Sequence, residues 1–451
     1  MTQPTPITVV VKIKYGEHAA LKELLQNLGR HVTKQTQLRI KETGTYFGRL
    51  VILDNDPHYP PLLVFEATFD GPLDSYLDDL IRMGPGVDQV FGKCDGYPPQ
   101  GISDPAAFKG FMKSNNRPIN TFYAAYKQIT LKGAKANLAL RERIQTELLD
   151  PLDKSGKLVR MSPAEVRKAI QDFVREQKPP IGAGKIPFLT IFDKLIVRLR
   201  PPAGSPLPMG KGWRQYLADF SKVHNIPKAV QWFLENAFPK ITRFLLFPYL
   251  FFLRRKERAD AAAYVPPPPV QNEALNQQFQ AIENQITQNQ MTHVVEVKPG
   301  KLRYWTLSGV LWAINFLARH ALTAGRLADV ATVHFARWLY IDDHQRLLFM
   351  SNFDGPWSAY VGDFVDRTSG YLTGIWSNTF NFPPTRDLVL DGAQDIDGFG
   401  WFLRVNQLPT EFFYSAFKDD TVVSIVSTTQ IAQDLNTRLG DRNLGAWLRR
   451  F

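Results

Sequence analysis

Residues 67–82 read ATFDGPLDSYLDDLIR, and residues 351–366 read SNFDGPWSAYVGDFVD. In both stretches an apolar segment runs into Phe-Asp-Gly-Pro, and an amphipathic segment follows with a tyrosine at the same distance after the proline. The apolar segments are typical of buried strands, and a proline after a turn glycine is typical of the first turn of a helix. The same strand–turn–helix phrase therefore occurs twice in one chain.

Further blocks match in the same order along the chain, which indicates an internal duplication. The duplication predicts three parts: a first repeat (1–150), an insertion (151–290) and a second repeat (291–451). The matching blocks are 8–16 with 292–300, 45–55 with 333–343, 97–99 with 382–384, and 107–127 with 398–418.

Each repeat is predicted to run strand, helix, strand, strand, helix, short strand, and then helix, strand, helix. The first six elements have the order of a ferredoxin-like unit. The predicted fold class is α+β, with two ferredoxin-like repeats forming an intramolecular α+β barrel and a helical, partly apolar insertion between them. Residues 87–93 and 372–378 are predicted to be the short strands. Asp70 and Asp354 are predicted to cap the helices that follow Gly-Pro.

Two ferredoxin-like units in one chain resemble the dimeric α+β-barrel superfamily, which includes dye-decolorizing peroxidases and chlorite dismutases. The peroxidases of that superfamily carry a Gly-x-x-Asp-Gly motif whose aspartate handles peroxide protons beside an arginine. Here the matching positions keep Asp70-Gly71 and Asp354-Gly355, but Ala67 and Ser351 replace the leading glycine. The resemblance implies haem as the cofactor and an oxidoreductase activity of the peroxidase type.

Under the haem interpretation, Asp354 would carry protons, and Arg337 would stabilise charge and contact the cofactor. His334 would be the iron ligand, with His293 as the second candidate, since iron in this superfamily takes histidine. The structural alternatives are a helix cap for the aspartate and a satisfied core position for each histidine. Arg337 and its counterpart Arg49 lie mid-strand among apolar residues, so each needs an anionic partner. That partner is either an internal aspartate or the carboxylate of a ligand such as a haem propionate or a fatty acid.

The aromatic residues are dense in the second repeat, where they either line an apolar cavity or form ordinary core. They are Trp357, Trp376, Phe380, Phe382, Trp401, Phe402, Phe412, Phe413 and Tyr414.

Two apolar segments carry basic residues at their ends: residues 241–253 in the insertion and residues 304–318 in the second repeat. Both are shorter than the roughly 20 apolar residues that span a bilayer. Aromatic-rich apolar helices flanked by Arg and Lys are typical of segments that lie in a membrane interface, although the two could instead pack together as core. The predicted membrane or lipid contacts are Phe244, Leu245, Phe247, Tyr249, Phe251, Phe252, Arg254, Arg255, Trp305 and Trp312.

The formal net charge of +11 favours a polyanionic partner, and an anionic lipid surface is preferred here to nucleic acid. The sequence contains neither zinc-finger spacing nor a recognisable RNA-binding motif. One cysteine, Cys94, excludes an internal disulfide, and the N-terminus does not read as a signal peptide. The expected location is the cytoplasm, at the inner face of a membrane.

Three functions fit these features. The first is a peripheral membrane enzyme of the haem-peroxidase type that acts on a lipid-like or other amphipathic substrate. The second is a non-catalytic protein that binds a lipid or another hydrophobic small molecule at the membrane. The third is a scaffold whose apolar helices bind a protein partner.

Overall fold

The protein was analysed as a computed structural model that describes most of both repeats and part of the insertion between them. The described residues are 4–30, 40–127, 129–176, 238–265, 277, 279–281, 283, 287–320, 327, 330–417, 419–435, 437 and 440–451, with the side chains of 238–247, 320, 441 and 442 excepted.

The described chain is α+β, and its main sheets are antiparallel throughout. The strands are β1 (Thr5–Lys12), β2 (Thr45–Leu53), β3 (Leu62–Phe69), β4 (Thr121–Ala124), β5 (Gln288–Glu296), β6 (Val333–Ile341), β7 (Arg346–Asp354), β8 (Thr385–Arg386), β9 (Leu390–Asp391), β10 (Gln407–Leu408) and β11 (Phe412–Ser415).

The helices surround these sheets. They are α1 (His18–Arg30), α2 (Leu73–Met83), α3 (Gly86–Phe91), α4 (Pro105–Asn115), α5 (Leu131–Arg143), α6 (Asp150–Lys154), α7 (Pro163–Glu176), α8 (Phe238–Ala263), α9 (Lys301–His320), α10 (Trp357–Trp376), α11 (Ile396–Val405), α12 (Val422–Asp434) and α13 (Asp441–Leu448). A π-helical segment, Ile144–Leu149, joins α5 to α6.

The two main sheets have matching strand orders. Sheet 1 has the order β1–β3–β2–β11, and sheet 2 has the order β10–β5–β7–β6–β4. In sheet 1 the place of β10 is taken by a single bridge between Val9 and Asn116. The bridge matches the pairing of β10 with β5, because His293 on β5 is the sequence counterpart of Val9.

Each sheet is completed by a strand from the other repeat. The first-repeat strand β4 pairs with β6, and the second-repeat strand β11 pairs with β2. Because each repeat supplies an edge strand to the other sheet, neither sheet is complete without both repeats. The exchange covers edges that would otherwise present unpaired backbone groups.

The inner faces of the two sheets enclose one apolar cluster between them. The β-branched and aliphatic residues that alternate along the strands supply it, as expected for strands packed face to face. Its members are Val10, Val51, Leu53, Leu62, Val64, Val294, Leu339, Ile341, Leu348, Met350 and Leu408.

A charged group of three side chains lies between these sheets. Glu66 on β3 is 2.7 Å from Arg49 Nε through Oε2 and 2.6 Å from an Arg337 guanidinium nitrogen through Oε1. All three side chains are about 1% exposed, and burial lowers the pKa of Arg337 to about 10. The partner of both arginines is therefore internal, as one of the two alternatives predicts, but it is a single glutamate and not the expected aspartate.

The arginines also bind the opposite sheet through backbone oxygens. Arg49 donates to the carbonyls of Met291 and Ser351, both at 2.9 Å, in sheet 2. Arg337 donates to the carbonyl of Ile7 at 2.9 Å in sheet 1. Since Ile7 is the sequence counterpart of Met291, the two arginines make the same contact in opposite directions.

The outer face of each sheet has its own helical cover and core. In the second repeat the aromatic side chains form a packed core around Trp376, whose ring lies 5.6 Å from Phe399 and 5.5 Å from Phe349. In the first repeat a smaller, largely aliphatic cluster packs beneath α1, α2, α3 and α4. Trp376, Phe382 and Phe402 are therefore core residues, which is one of the two interpretations of the second-repeat aromatics.

Two predicted short strands are helical in the structure. Residues 87–93 lie mostly in α3, and residues 372–376 form the last turns of α10. Both runs are short and apolar, and such runs cannot be assigned to strand or helix by periodicity alone. At the start of α7 the structure contains a capping box, in which Glu165 Oε2 accepts from the Ser162 amide at 2.7 Å.

Glu66→Gln is expected to lower the free energy of unfolding by about 3–5 kcal/mol, because it leaves two buried guanidiniums without a carboxylate. Chemical denaturation measures this change. Glu23→Gln, at an exposed position on α1, is the matched control and should change little.

A second variant separates charge from shape at the same site. Met350 occupies the position of Glu66 in the second repeat and is paired with Arg337 across the sheet. Adding Met350→Glu to the Glu66→Gln variant should therefore recover part of the lost stability. A double variant no more stable than the single one would contradict the charge-pairing account.

A buried carboxyl group, that of Glu411, directly precedes the exchanged strand β11. Glu411 Oε2 accepts from the Ile52 amide at 3.1 Å. Burial raises the pKa of Glu411 to about 7, although the positive charge of the nearby Lys22 acts in the opposite direction. The unfolded chain loses this proton near pH 4.5, whereas the folded chain keeps it until about pH 7. The folded state therefore binds more protons in that window, and stability falls as the pH rises through it.

We expect the free energy of unfolding of the wild-type chain to decrease between about pH 4.5 and pH 7 and the Glu411→Gln variant to lose that part of the slope. Denaturation at several pH values measures both slopes. Equal slopes for the two proteins would exclude Glu411 as the titrating group.

Candidate functional site

A β-bulge in each repeat directs one side chain toward the end of the neighbouring strand. The register between β2 and β3 shifts between Thr45 and Phe47, and the register between β6 and β7 shifts at the equivalent place, between Val333 and Phe335. The extra residues are Tyr46 and His334. A bulge re-aims the side chain it carries, and here both side chains reach the aspartate of the Phe-Asp-Gly-Pro phrase.

Each aspartate joins its bulge residue to a helix far along the chain. Tyr46 donates to Asp70 Oδ1 at 2.6 Å, and Asp70 Oδ2 accepts from the Leu131 amide at 2.6 Å. Asp354 is 2.7 Å from His334 Nε2, and its Oδ2 accepts from the Val422 amide at 2.7 Å. Asp70 thus holds the first turn of α5, and Asp354 holds the first turn of α12.

The prediction that these aspartates cap the adjacent helices is wrong. The residues before α2 and α10 are Pro72 and Pro356, and neither helix has a side-chain cap. The carboxylates instead bind amide groups of α5 and α12, which follow the exchanged strands. Sequence spacing could not identify this acceptor role, since Asp70 and Leu131 are separated by 61 positions.

The second ring nitrogen of His334 also has a partner. The Tyr126 hydroxyl and His334 Nδ1 are 2.9 Å apart, so each ring nitrogen lies within hydrogen-bonding distance of a polar side chain. The position of Tyr126 in the second repeat is held by Phe417, which faces Tyr46. His334 has two polar ring atoms, whereas its counterpart Tyr46 has one hydroxyl. The Tyr126 hydroxyl, which Phe417 lacks, is the partner of the additional ring nitrogen.

The residues predicted to hold haem do not fit that group. His334 is fully buried with both ring nitrogens hydrogen-bonded, so it offers no free nitrogen to iron. Arg337 is paired with Glu66 between the sheets, and it does not join the His334 group. Asp354 already accepts from His334 and Val422.

His293 has no room for a ligand beside its ring. It is fully buried on β5, and contact with the Phe402 backbone opposes the effect of burial on its pKa. The rings of Phe402 and Trp376 pack against it at 5.0 and 5.7 Å, and burial lowers its pKa to about 3. His293 is therefore a neutral core residue, and the cavity described next does not reach it.

An apolar cavity of about 350 Å³, partly open to the surface, lies in the first repeat. It is bounded by the outer face of sheet 1 and by helices α1, α2 and α3. The exchanged strand β11 closes one side, so both repeats contribute to it. The lining residues are Leu28, Ile40, Thr43, Thr45, Gly48, Arg49, Leu50, Phe65, Tyr76, Leu80, Met83, Pro85, Gly86, Val87, Val90, Phe91, Phe412 and Tyr414.

The cavity occurs where the first repeat carries smaller side chains than the second. Leu50 pairs with Phe65 on the neighbouring strand, and its counterpart Trp338 pairs with Phe349. The Trp338 and Phe349 rings stack at 4.4 Å. Likewise Phe364 replaces Leu80 in the second repeat. The larger rings fill the outer face of sheet 2, whereas the equivalent volume beside sheet 1 is open.

One end of the cavity carries hydroxyl groups. Thr43 Oγ1 donates to the Ile40 carbonyl at 2.6 Å and lies 2.6 Å from Thr45 Oγ1. Since Thr43 has used its hydrogen, Thr45 donates to Thr43, and the Tyr76 hydroxyl lies 3.3 Å from Thr45 Oγ1 as the donor of a longer contact. Tyr414 also lines the cavity, and burial raises its pKa to about 12. Both phenols are therefore neutral hydrogen-bond donors at neutral pH.

The predicted membrane contacts divide into exposed and paired residues. Phe251, Phe252, Trp305 and Trp312 expose more than half of their surface. Tyr249 is 3.1 Å from Thr306 and joins α8 to α9. Arg254 is paired with Asp387 at 2.6 Å, and Arg255 is exposed. The side chains of Phe244, Leu245 and Phe247 lie outside the described residues.

Comparison of the chain with protein-family models, with curated proteins and with solved structures finds no match. Within the described part of the chain, no helix has both the length and the apolar character that crossing a bilayer needs. The same residues bring together no cluster of three histidine, cysteine or acidic side chains able to hold a metal ion.

Protein purified from cells supplied with a haem precursor is expected to show aromatic absorbance alone, because the ring nitrogens of His334 are already occupied. An intense band at the blue edge of the visible spectrum that disappears in His334→Ala would contradict this expectation.

The matched variant for the same experiment is His334→Tyr, which copies the contact of Tyr46 with Asp70. Thermal unfolding should show a smaller loss of stability for His334→Tyr than for His334→Ala, since only the tyrosine can still donate to Asp354.

Proposed function

We propose that the chain is a non-catalytic binding protein for a small, neutral, mostly apolar molecule held in the first-repeat cavity. The observation that carries the proposal is the cavity itself, with its apolar wall and hydroxyl-bearing end. Ligand sites typically combine a largely apolar lining with a few placed polar groups. An apolar cavity of about 150 Å³ is sufficient to bind benzene, so about 350 Å³ has room for a molecule more than twice that size.

The polar groups of the cavity favour a neutral ligand with an acceptor oxygen. Tyr76 and Tyr414 place phenol hydroxyls at the cavity, and the long contact of Tyr76 with Thr45 can be exchanged for a ligand oxygen. Among the described residues that line the cavity, the one cation is Arg49, whose guanidinium is already paired with Glu66. A carboxylate would find no unpaired cation among those described residues, and burying an unpaired charge is costly. A carbonyl, ester or ether oxygen is therefore the preferred acceptor.

The geometry gives less support to the peroxidase-type alternative. Proton transfer needs a group with a vacant hydrogen-bonding position near the substrate. His334 and Asp354 are fully engaged with each other, with Tyr126 and with the Val422 amide. Their contacts explain the folding of α12 onto sheet 2 without any catalytic step.

We further infer that the two repeats are tandem ferredoxin-like units arranged as an intramolecular barrel. The matching strand orders, the reciprocal exchange of β4 and β11, and the equivalent bulges at Tyr46 and His334 support this inference. In such an arrangement one repeat can be filled for stability while the other keeps an open volume for a ligand.

Methyl decanoate is expected to compete with the neutral dye Nile red for the cavity at least tenfold better than sodium decanoate does, because only the ester can be buried without a charge. Fluorescence competition measures both affinities. Leu50→Trp, which introduces the second-repeat residue, should fill the cavity and weaken binding of the ester by at least tenfold while the protein stays folded.

Two controls accompany this experiment. Val159→Trp adds the same side chain at an exposed position and should leave binding unchanged. Tyr76→Phe removes one hydroxyl without changing volume and should cost about 1 kcal/mol of affinity for the ester. Equal binding by the wild-type and Leu50→Trp proteins would overturn the proposal.

A further inference from the structure

One face of α9 presents aromatic side chains to solvent with a basic residue at each end. Lys301, Trp305, Gly309, Trp312 and Arg319 are all exposed, and they recur at the spacing that places residues on one side of a helix. Trp305 and Trp312 are 69% and 68% exposed. With a rise of about 1.5 Å per residue, the two indoles lie about 10 Å apart along the helix.

The opposite face of the same helix is fixed to the protein. Leu307 and Leu311 are buried in the second-repeat core, and the Leu311 carbonyl accepts from Thr121 on the exchanged strand at 2.7 Å. The exposed tryptophans are therefore held on a rigid element. Phe316 stacks on Trp312 with ring centroids 5.9 Å apart, which extends the aromatic surface toward Arg319.

The neighbouring helix α8 repeats the pattern. It packs on α9 through Tyr249 and Thr306, and Asp260 of α8 is paired with Arg303 of α9. Phe251 and Phe252 are 57% and 56% exposed. Arg254, Arg255 and Lys256 follow after Leu253, with Arg254 paired with Asp387, and α9 itself contains no acidic residue.

We propose that this face of α9 docks on the surface of a lipid bilayer that contains anionic lipid. Tryptophan is enriched at the membrane interface, where its ring is partly apolar and its N–H remains hydrated. Lysine and arginine at the two ends would bind anionic headgroups while the aromatic middle enters the boundary of the acyl chains. The helix lies in the interface and does not cross it.

The charges argue against a second copy of the chain as the occupant of this face. If two copies met through α9 in an antiparallel arrangement, Lys301 would approach Arg319 of the other copy. In a parallel arrangement each basic residue would approach its own equivalent. Like charges meet in both arrangements, whereas an anionic bilayer complements both ends of the face. The proposal is independent of whether the cavity binds a ligand.

Co-sedimentation of the full chain with vesicles tests the proposal. Binding to phosphatidylcholine vesicles that contain phosphatidylglycerol should exceed binding to phosphatidylcholine alone by at least tenfold. Trp305→Ser combined with Trp312→Ser should reduce binding to the anionic vesicles by at least tenfold. Lys301→Gln combined with Arg319→Gln should remove most of the preference for anionic lipid and weaken its dependence on salt.

The matched control is Tyr15→Ser combined with Val423→Ser, which removes two exposed apolar side chains elsewhere and should leave binding unchanged. Thermal unfolding confirms that each variant is folded, and quenching of tryptophan fluorescence by brominated lipid gives a second readout. Absence of vesicle binding by the wild-type chain would overturn the proposal. So would equal binding by the tryptophan and control variants, or a change in oligomeric state alone.

Discussion

The contact of Arg49 and Arg337 with Glu66 is the constraint on which the arrangement of the two sheets depends. Two guanidiniums and one carboxylate are buried together, and both arginines reach backbone oxygens of the opposite sheet. A buried charge is tolerated only where such partners are fixed in place. The triad therefore favours one relative placement of the sheets, whereas the surrounding aliphatic side chains would pack in several.

Sequence patterns could predict the duplication, most strands and the need for an anionic partner at Arg49 and Arg337. They could not predict which residues would be joined across long separations. Asp70 and Asp354 look like local caps, because an aspartate before Gly-Pro usually precedes a helix. Their carboxylates instead bind α5 and α12, and the bulges that bring Tyr46 and His334 to them have no signature in the sequence. The exchange of β4 and β11 is equally a matter of tertiary pairing.

The cavity lies away from most of the second-repeat aromatics, although Phe412 and Tyr414 line it. The sequence left cavity and core both open for these residues, and large rings such as Trp338 and Trp376 fill the space where the helices close over the sheet. The open volume lies where the other repeat has Leu50 and Leu80. In a duplicated fold, the difference in side-chain size at equivalent positions is a better guide to a cavity than the number of aromatic residues. That comparison needs the pairing register, which the structure provides.

The same size difference links the cavity to the exposed face of α9. This helix is apolar nearly all round because its inner side fills the outer face of sheet 2, whereas α1 in the first repeat is amphipathic. Packing of α9 on sheet 2 explains why Leu307 and Leu311 are apolar. It does not explain Trp305 and Trp312, which are exposed to solvent. A helix selected for packing alone would carry polar residues there, as α1 does at the exposed Glu23. Packing on sheet 2 therefore does not account for the outward tryptophans, and they are the basis of the proposed bilayer contact.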